Sequence, residues 1–157
     1  MSTADSNIAI PDFSLVVLIG STGSGKSTFA AKHFLPTEVI SSDYCRALIS
    51  DSETDQGATA DAFELLREIA GKRLKNRKLA VIDATNVRRA DRNGWVELAR
   101  RWHALPIAIV LDPSIDVCIE RNKSRLPSAA RWCSGWYQKF EKVSEACSAR
   151  VFARSGN

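Results

Sequence analysis

The sequence reads Gly20-Ser-Thr-Gly-Ser-Gly25-Lys26-Ser27, and this stretch decides the fold. It matches the phosphate-binding pattern G-x-x-x-x-G-K-[ST] at every specified position. An apolar run, Leu15–Ile19, precedes it and predicts a buried strand, while residues 27–34 predict a helix that ends before Pro36. A strand, a glycine loop and a helix in this order turn backbone N–H groups toward a polyphosphate. The sequence therefore predicts a nucleoside triphosphate site rather than a flexible Gly/Ser turn.

Within this stretch two side chains carry the expected chemistry. Lys26 would reach the β and γ phosphates, and the Ser27 hydroxyl would be a ligand of Mg²⁺. The backbone groups around them would line the phosphates. The residues expected to bind the nucleotide are Gly20, Ser21, Thr22, Gly23, Ser24, Gly25, Lys26, Ser27 and Thr28.

The 157 residues are expected to form a single domain, residues 1–157, in which residues 1–12 are a loose lead-in. No apolar run is long enough to cross a membrane, and the polar, acidic N-terminus is unlike a secretory signal. The four cysteines contain no C-x-x-C pair, which argues against a disulfide scaffold and a zinc site. These features favour a cytoplasmic protein without a membrane partner.

The net charge is +4, which is mildly basic and is compatible with an ordinary solubilising surface. The placement of the charge is more informative, because basic residues are dense at 67–78, 88–101 and 121–131. If these clusters share a face with the glycine loop, an anionic polymer becomes a plausible partner.

Further apolar runs predict a repeating order of strands and helices. Such an order implies a parallel sheet of four or five strands with helices on both faces, and ligands at the carboxyl ends of the strands. Strands are predicted at Leu15–Ile19, Glu38–Ser41, Leu79–Asp83 and Ile107–Leu111, and residues 150–153 would add a fifth. Helices are predicted at 58–75, at 90–102, from Ser114 into Arg121, and around 132–143.

The second strand is followed by Asp43 and Arg46. Phosphoryl transfer to a hydroxyl needs an acceptor for the hydroxyl proton, and Asp43 is the best-placed candidate. Arg46 lies three residues on and would share a side with Asp43 on a helix, where it would bind an anionic group of the acceptor. The alternative is that Asp43 only caps the start of that helix.

The third strand ends in Asp83, followed by Ala84, Thr85 and Asn86. Asp83 occupies the place of an aspartate that holds Mg²⁺ through water in many phosphate-loop enzymes. The acidic residue that follows it in hydrolytic ATPases is replaced by Ala84, which favours transfer to a substrate over transfer to water. Thr85 and Asn86 would either line the acceptor pocket or form the turn.

Arg121 and Arg125 are four residues apart and share one face of a predicted helix. Arginines that close over the nucleotide as a lid would neutralise the charge of the phosphoryl group during transfer. The alternative is a solvated basic helix end, which the helix dipole also favours.

These segments together resemble the kinase domain of bacterial polynucleotide kinase-phosphatases, the 5′-hydroxyl polynucleotide kinases. The likeness covers residues 15–125 and depends most on Ser-Ser-Asp-Tyr-Cys-Arg at 41–46 and Ile-Asp-Ala-Thr-Asn-Val at 82–87. It implies a P-loop kinase fold that uses ATP and Mg²⁺. In that family pattern Asp43 is the general base for the 5′-hydroxyl, Arg46 binds a phosphate of the acceptor strand, and Arg121 and Arg125 belong to the lid.

The chain departs from this family after Arg125, where a Leu-Pro-Ser-Ala-Ala stretch separates it from Arg131. The resemblance implies ATP-dependent phosphorylation of the 5′-hydroxyl ends of DNA or RNA in repair or end processing. Two alternatives stay open at this point: a kinase of a small molecule such as a sugar acid or an antibiotic, and an ATP-switched nucleic-acid-binding module without transfer activity.

Overall fold

The computed structural model describes residues 9–123. Several predictions lie outside these residues: the second lid arginine Arg125, Arg131, the helix around 132–143 and the strand at 150–153. Most of the loose lead-in, residues 1–8, lies outside them as well.

The described part of the chain contains four strands and five helices, with at least one helix after every strand. The strands are β1 (Ser14–Ile19), β2 (Val39–Ser41), β3 (Ala80–Asp83) and β4 (Leu105–Val110). The helices are α1 (Lys26–His33), α2 (Ser42–Ser50), α3 (Thr59–Lys75), α4 (Arg89–Arg101) and α5 (Ile115–Lys123).

The strands form one sheet in the order β2-β3-β1-β4, and every pairing within residues 9–123 is parallel. All six residues of β1 are buried, as expected of a central strand with neighbours on both sides. Because all the strands point the same way, their carboxyl ends meet at one edge, from which the segments after Ile19, Ser41, Asp83 and Val110 emerge.

The side chains of β1 alternate between two hydrophobic clusters, one on each face of the sheet. Leu15, Val17 and Ile19 pack on one face with residues of α2, α3 and α4, including the fully buried Trp95. Val16 and Leu18 pack on the other face with residues of α1 such as Ala30. Helices therefore cover both faces, and the predicted α/β fold is confirmed.

The element boundaries differ from the predictions at a few points. The first helix begins at Lys26 and ends at His33, because Phe34 is already extended. β4 begins at Leu105 instead of Ile107. The prediction missed its first two residues because they are exposed, at the edge of the described sheet. None of the helices within residues 9–123 combines the length and apolar character of a membrane span.

Candidate active site

The phosphate loop, residues 20–25, connects β1 to α1 and has the backbone that its glycines allow. Gly23 and Gly25 have φ angles of 81° and 95°, in the left-handed region that a side chain disfavours. There is no space for a side chain at Gly20, because a Cβ there would lie 2.7 Å from the carbonyl oxygen of Leu111. The loop thus packs directly against the chain that leaves β4.

Helix α1 begins at Lys26 with Gly25 as its N-cap and no side-chain cap. Its first N–H groups have no intrahelical acceptors and so form an anion-binding end next to the loop. The ammonium of Lys26 is buried and donates to the carbonyl oxygens of Gly20 at 2.9 Å and Ser21 at 2.7 Å. The lysine is therefore held directly at the phosphate loop.

Ser27 and Asp83 meet across the sheet edge, where the Ser27 hydroxyl donates to Oδ2 of Asp83 at 2.7 Å. Burial raises the pKa of the Asp83 carboxyl, while the Ser27 hydrogen bond and the charge of Lys26 oppose that rise, and the negative charge of Asp43 adds to it. A hydroxyl and a carboxylate are oxygen donors that suit a hard cation such as Mg²⁺.

No group of three or more His, Cys, Asp or Glu side chains within residues 9–123 is arranged to hold a metal ion. Mg²⁺ is usually bound by one or two protein oxygens together with water and substrate phosphates. Ser27 and Asp83 are thus a chemically suitable donor set for Mg²⁺.

Asp43 and Arg46 lie on the first turns of α2. The N-cap of α2 is Ser41, whose hydroxyl accepts a hydrogen bond from the Tyr44 N–H, so Asp43 is not the capping residue. The guanidinium of Arg46 donates to Oδ1 of Asp43 at 2.5 Å and to the carbonyl oxygen of Glu53 at 2.8 Å.

The exposures of this pair differ, because the Asp43 side chain is 63% exposed and that of Arg46 only 12%. A nearly buried arginine thus holds an open carboxylate. Ser41 pairs with Asp83 in the parallel register of β2 and β3, so Asp43, two residues after Ser41, lies at the same edge of the sheet as the Ser27–Asp83 pair. An accessible carboxylate beside a phosphate loop can accept a proton from a bound hydroxyl.

Asn86 has a structural role in this turn. Its amide donates to the carbonyl oxygens of Leu18 and Ala84, and its side-chain oxygen accepts from Nε1 of Trp95 at 2.9 Å. It is 1% exposed and has a φ angle of 49°. Of the two roles foreseen for Asn86, the turn is the one that its contacts support.

Helix α5 lies against the phosphate loop. Nη1 of Arg121 donates to the carbonyl oxygen of Gly23 at 3.3 Å, and the Ser21 hydroxyl donates to Sγ of the buried Cys118 at 3.4 Å. Arg121 is thereby brought to the site, whereas its expected companion Arg125 falls outside the described residues.

Three residues near the site were not singled out for a role there by sequence reasoning: Cys118, Arg92 and Trp95. Arg92 donates to the carbonyl oxygens of Asn86 and Val87 and so braces the turn after β3. The helical spacing of Trp95 predicts that it is a core residue but does not predict its hydrogen bond to Asn86. Cys118 contacts a residue 97 positions away, which no local pattern reveals.

A family model described as an AAA domain matches residues 15–132. No curated protein matches the chain. Among solved structures, the Pnkp1/Rnl/Hen1 RNA repair complex contains a chain 23% identical with a TM-score of 0.73, over 97% of this chain and 51% of that one. A second structure of the Pnkp1/Rnl/Hen1 complex gives 28% identity and a TM-score of 0.59, over 72% and 40% of the two chains.

A gluconokinase from Sinorhizobium meliloti 1021 is 22% identical with a TM-score of 0.55, over 83% of this chain and 76% of that one. The chain thus spans about half or less of the RNA-repair chains and most of the gluconokinase. These likenesses show a fold that kinases of different substrates share. The family match covers more than half of the sequence, and the chain therefore belongs to the AAA domain family and has the fold of the P-loop kinases.

Proposed function

We propose that the protein is an ATP-dependent kinase that transfers the γ phosphate of ATP to the 5′-hydroxyl end of DNA or RNA, in repair or end processing of nucleic acids. The observation that carries the proposal is the open Asp43 carboxylate, which Arg46 holds at the sheet edge where Ser41 pairs with Asp83. A triphosphate site alone would not need a carboxylate there, whereas transfer to a hydroxyl does.

In the proposed reaction Asp43 accepts the proton of the 5′-hydroxyl while the hydroxyl oxygen forms a bond to the γ phosphorus. The bond between that phosphorus and the β–γ bridging oxygen breaks, and ADP leaves. Lys26, together with Arg121 and Arg125 of the lid, would neutralise the charge that spreads over the transferring group. Arg46 would bind a phosphate of the acceptor strand while it orients Asp43.

Ser27 and Asp83 would hold Mg²⁺. Bound there, Mg²⁺ would neutralise negative charge on the β and γ phosphates of ATP. The phosphate loop and the first N–H groups of α1 would bind the phosphates themselves, so that the residues from Gly20 to Thr28 form the nucleotide site.

Two lines support a polynucleotide as the acceptor. The segments at 41–46 and 82–87 resemble the 5′-hydroxyl polynucleotide kinases, and both border the candidate site. Two solved structures with the same fold come from an RNA repair complex.

A small-molecule kinase is the second candidate, and one observation favours it. The α2–α3 connection beside Arg46 carries Asp51, Glu53 and Asp55 and no basic residue, so that flank of the site repels a polyanion. A gluconokinase with this fold acts on a small acceptor. No observation on the described residues specifically favours a nucleotide-switched binding module without transfer activity. Such a module would have no need of the Asp43–Arg46 pair.

The test is transfer of radiolabelled γ phosphate from ATP to 5′-hydroxyl oligonucleotides of DNA and RNA, with gluconate and shikimate as competing acceptors. We expect label on an oligonucleotide. Asp43→Asn should lower kcat by about 10²–10⁴-fold, the usual contribution of a general base, and should leave ATP binding within about twofold. Asp12→Asn is the control, because Asp12 is exposed and precedes β1, at the opposite edge of the sheet from the site.

Label only on the small acceptors would replace the leading proposal with the second candidate. An Asp43→Asn variant that transfers phosphate at the rate of the control would remove Asp43 from the role of general base.

A further inference from the structure

Arg88 and Arg89 stand at the edge of the sheet where the phosphate loop begins. The turn before them crosses the end of β1, because the Gly20 N–H donates to the Thr85 carbonyl oxygen at 3.3 Å and the Asn86 amide donates to that of Leu18 at 2.9 Å. Arg88 is then the N-cap of α4 and Arg89 its first residue, and both are exposed. They therefore follow β3, the neighbour of β2, at the same edge of the sheet from which Asp43 and Arg46 emerge.

The fold gains nothing from these two guanidinium groups. Neither has a hydrogen bond or ion pair within residues 9–123, and the N-cap of α4 has no side-chain cap bond. A positive charge at the N-terminus of a helix opposes the helix dipole, and Ser, Thr, Asp or Asn would be the stabilising choice there. The next arginine, Arg92, does brace the turn, so the two exposed ones differ from it.

The segment beside Arg46 carries charge of the opposite sign. Residues 51–61 contain four acidic side chains and no Lys or Arg, and Arg46 holds this segment through the carbonyl oxygen of Glu53. At physiological salt such charges act over about 8–10 Å. The acidic α2–α3 connection thus repels a polyanion whose end is bound between Asp43 and the phosphate loop, and the start of α4 attracts it.

The rest of the basic cluster at 88–101 is remote from the site. Helix α4 rises about 1.5 Å per residue, so that Arg100 and Arg101 lie about 20 Å from Arg88, toward the opposite end of the sheet. Only the first arginines of α4 are able to meet a strand that enters the site.

We propose that Arg88 and Arg89 bind the backbone phosphates of the acceptor strand behind its 5′-terminal nucleoside, so that the strand leaves the site over the start of α4. This inference rests on the proposed polynucleotide acceptor. It predicts that a longer acceptor binds better than a terminal nucleotide alone, because Arg88 and Arg89 contact its additional phosphates.

The experiment compares Arg88→Ala/Arg89→Ala with Arg100→Ala/Arg101→Ala, a matched pair at the other end of the same helix. Binding of a 5′-hydroxyl 12-mer is measured by fluorescence anisotropy at several salt concentrations, with melting temperatures to verify folding. For the first pair we expect about tenfold weaker binding and a log–log salt slope smaller by about 1–2, as for two lost phosphate contacts. The second pair should bind as the unmodified chain does.

Steady-state kinetics test the same inference independently of the binding measurement. The kcat/KM advantage of the 12-mer over a nucleoside 3′-monophosphate should fall about tenfold in the first pair, and Arg88→Lys/Arg89→Lys should restore most of it. Equal binding and equal salt slopes in the two alanine pairs would overturn the inference. If oligonucleotides bind in the expected way but receive no phosphate, the proposed kinase function fails and the strand-binding surface stands.

Discussion

Asp83 serves the candidate site as an ionised carboxylate, whereas its burial disfavours the ionised form in the folded protein. Its carboxyl is only 6% exposed, and burial raises its pKa even though Ser27 donates a hydrogen bond to it. The folded protein therefore holds a proton on Asp83 more tightly than the unfolded chain does. Stability contributed by this group is present at low pH and is lost as the pH rises from the ordinary pKa of an aspartate to the raised value.

Asp83→Asn removes this pH dependence, because the amide cannot ionise and still accepts a hydrogen bond from Ser27. We expect the variant to melt at a higher temperature than the unmodified chain at pH 7, by about 2–4 °C for each kcal/mol gained. The difference should shrink as the pH falls. Thermal unfolding between pH 4 and pH 8 measures it, with the exposed Asp112→Asn as control. A variant that melts lower at pH 7 would show that the ionised carboxylate stabilises the fold.

At the level of elements, α5 is joined to the phosphate loop at two points one turn apart. Cys118 accepts a hydrogen bond from Ser21, and Arg121 donates to the Gly23 carbonyl oxygen. Residues three apart on a helix share a face, so one face of α5 makes both contacts. The position of Arg121 over the loop thus depends on how closely Cys118 packs.

Cys118→Leu should displace α5 from the loop, because Cys118 is 2% exposed and added bulk at such a site costs about 1–3 kcal/mol. We expect a higher KM for ATP and a lower kcat, whereas Cys118→Ser should keep the contact with Ser21 and most of the activity. Val117→Leu, on the exposed side of the same helix, is the control. A Cys118→Leu protein with a lowered melting temperature but intact kinetic constants would contradict this coupling.

The elements themselves were largely predictable from the sequence. Runs of buried aliphatic residues give β1 and β3 within a residue of their observed bounds, and the helix from Ser114 into Arg121 corresponds to α5. The prediction was weakest for β4, because Leu105 and Pro106 lie at an exposed edge and lack the apolar signal of a central strand. The pattern of apolar residues in one segment predicts which of its side chains are buried. It does not predict which neighbouring element they pack against.

Across the whole molecule, one buried side chain ties together the central strand, the turn after β3 and α4. Asn86 donates to β1 at the Leu18 carbonyl and accepts from Trp95 of α4, close to the point where Gly20 begins the phosphate loop. A positive φ angle at this position suits asparagine better than most residues. The integrity of the loop and of the hydrophobic core therefore depend on the same residue.

Asn86→Ala should destabilise the fold by about 2–4 kcal/mol, because it leaves the indole N–H and a strand carbonyl buried without partners. Urea unfolding followed by circular dichroism measures this loss. Asn76→Ala is the matched control, since the Asn76 amide also donates to a backbone carbonyl but is exposed. Similar losses in the two variants would mean that Asn86 does not link these elements.

The distribution of charge over the molecule was less predictable than the fold. The basic cluster at 88–101 reads as one unit in the sequence, yet α4 separates Arg88 from Arg101 by its full length. The sequence does predict that Asp43 and Arg46 share a side, because a spacing of three on a helix determines it. It does not predict that Arg46 also binds the Glu53 carbonyl, since that contact depends on the path of a loop.

The hydrogen bond between Trp95 and Asn86 gives the molecule an internal optical reporter. The indole of Trp95 is 0% exposed, so its fluorescence should resist soluble quenchers and emit at short wavelength as long as the turn beside Gly20 stays closed. With the other tryptophans, Trp102, Trp132 and Trp136, replaced by phenylalanine, the remaining emission would come from this one position. Any opening of that turn would then be visible in real time, without a label, as a red shift of the emission.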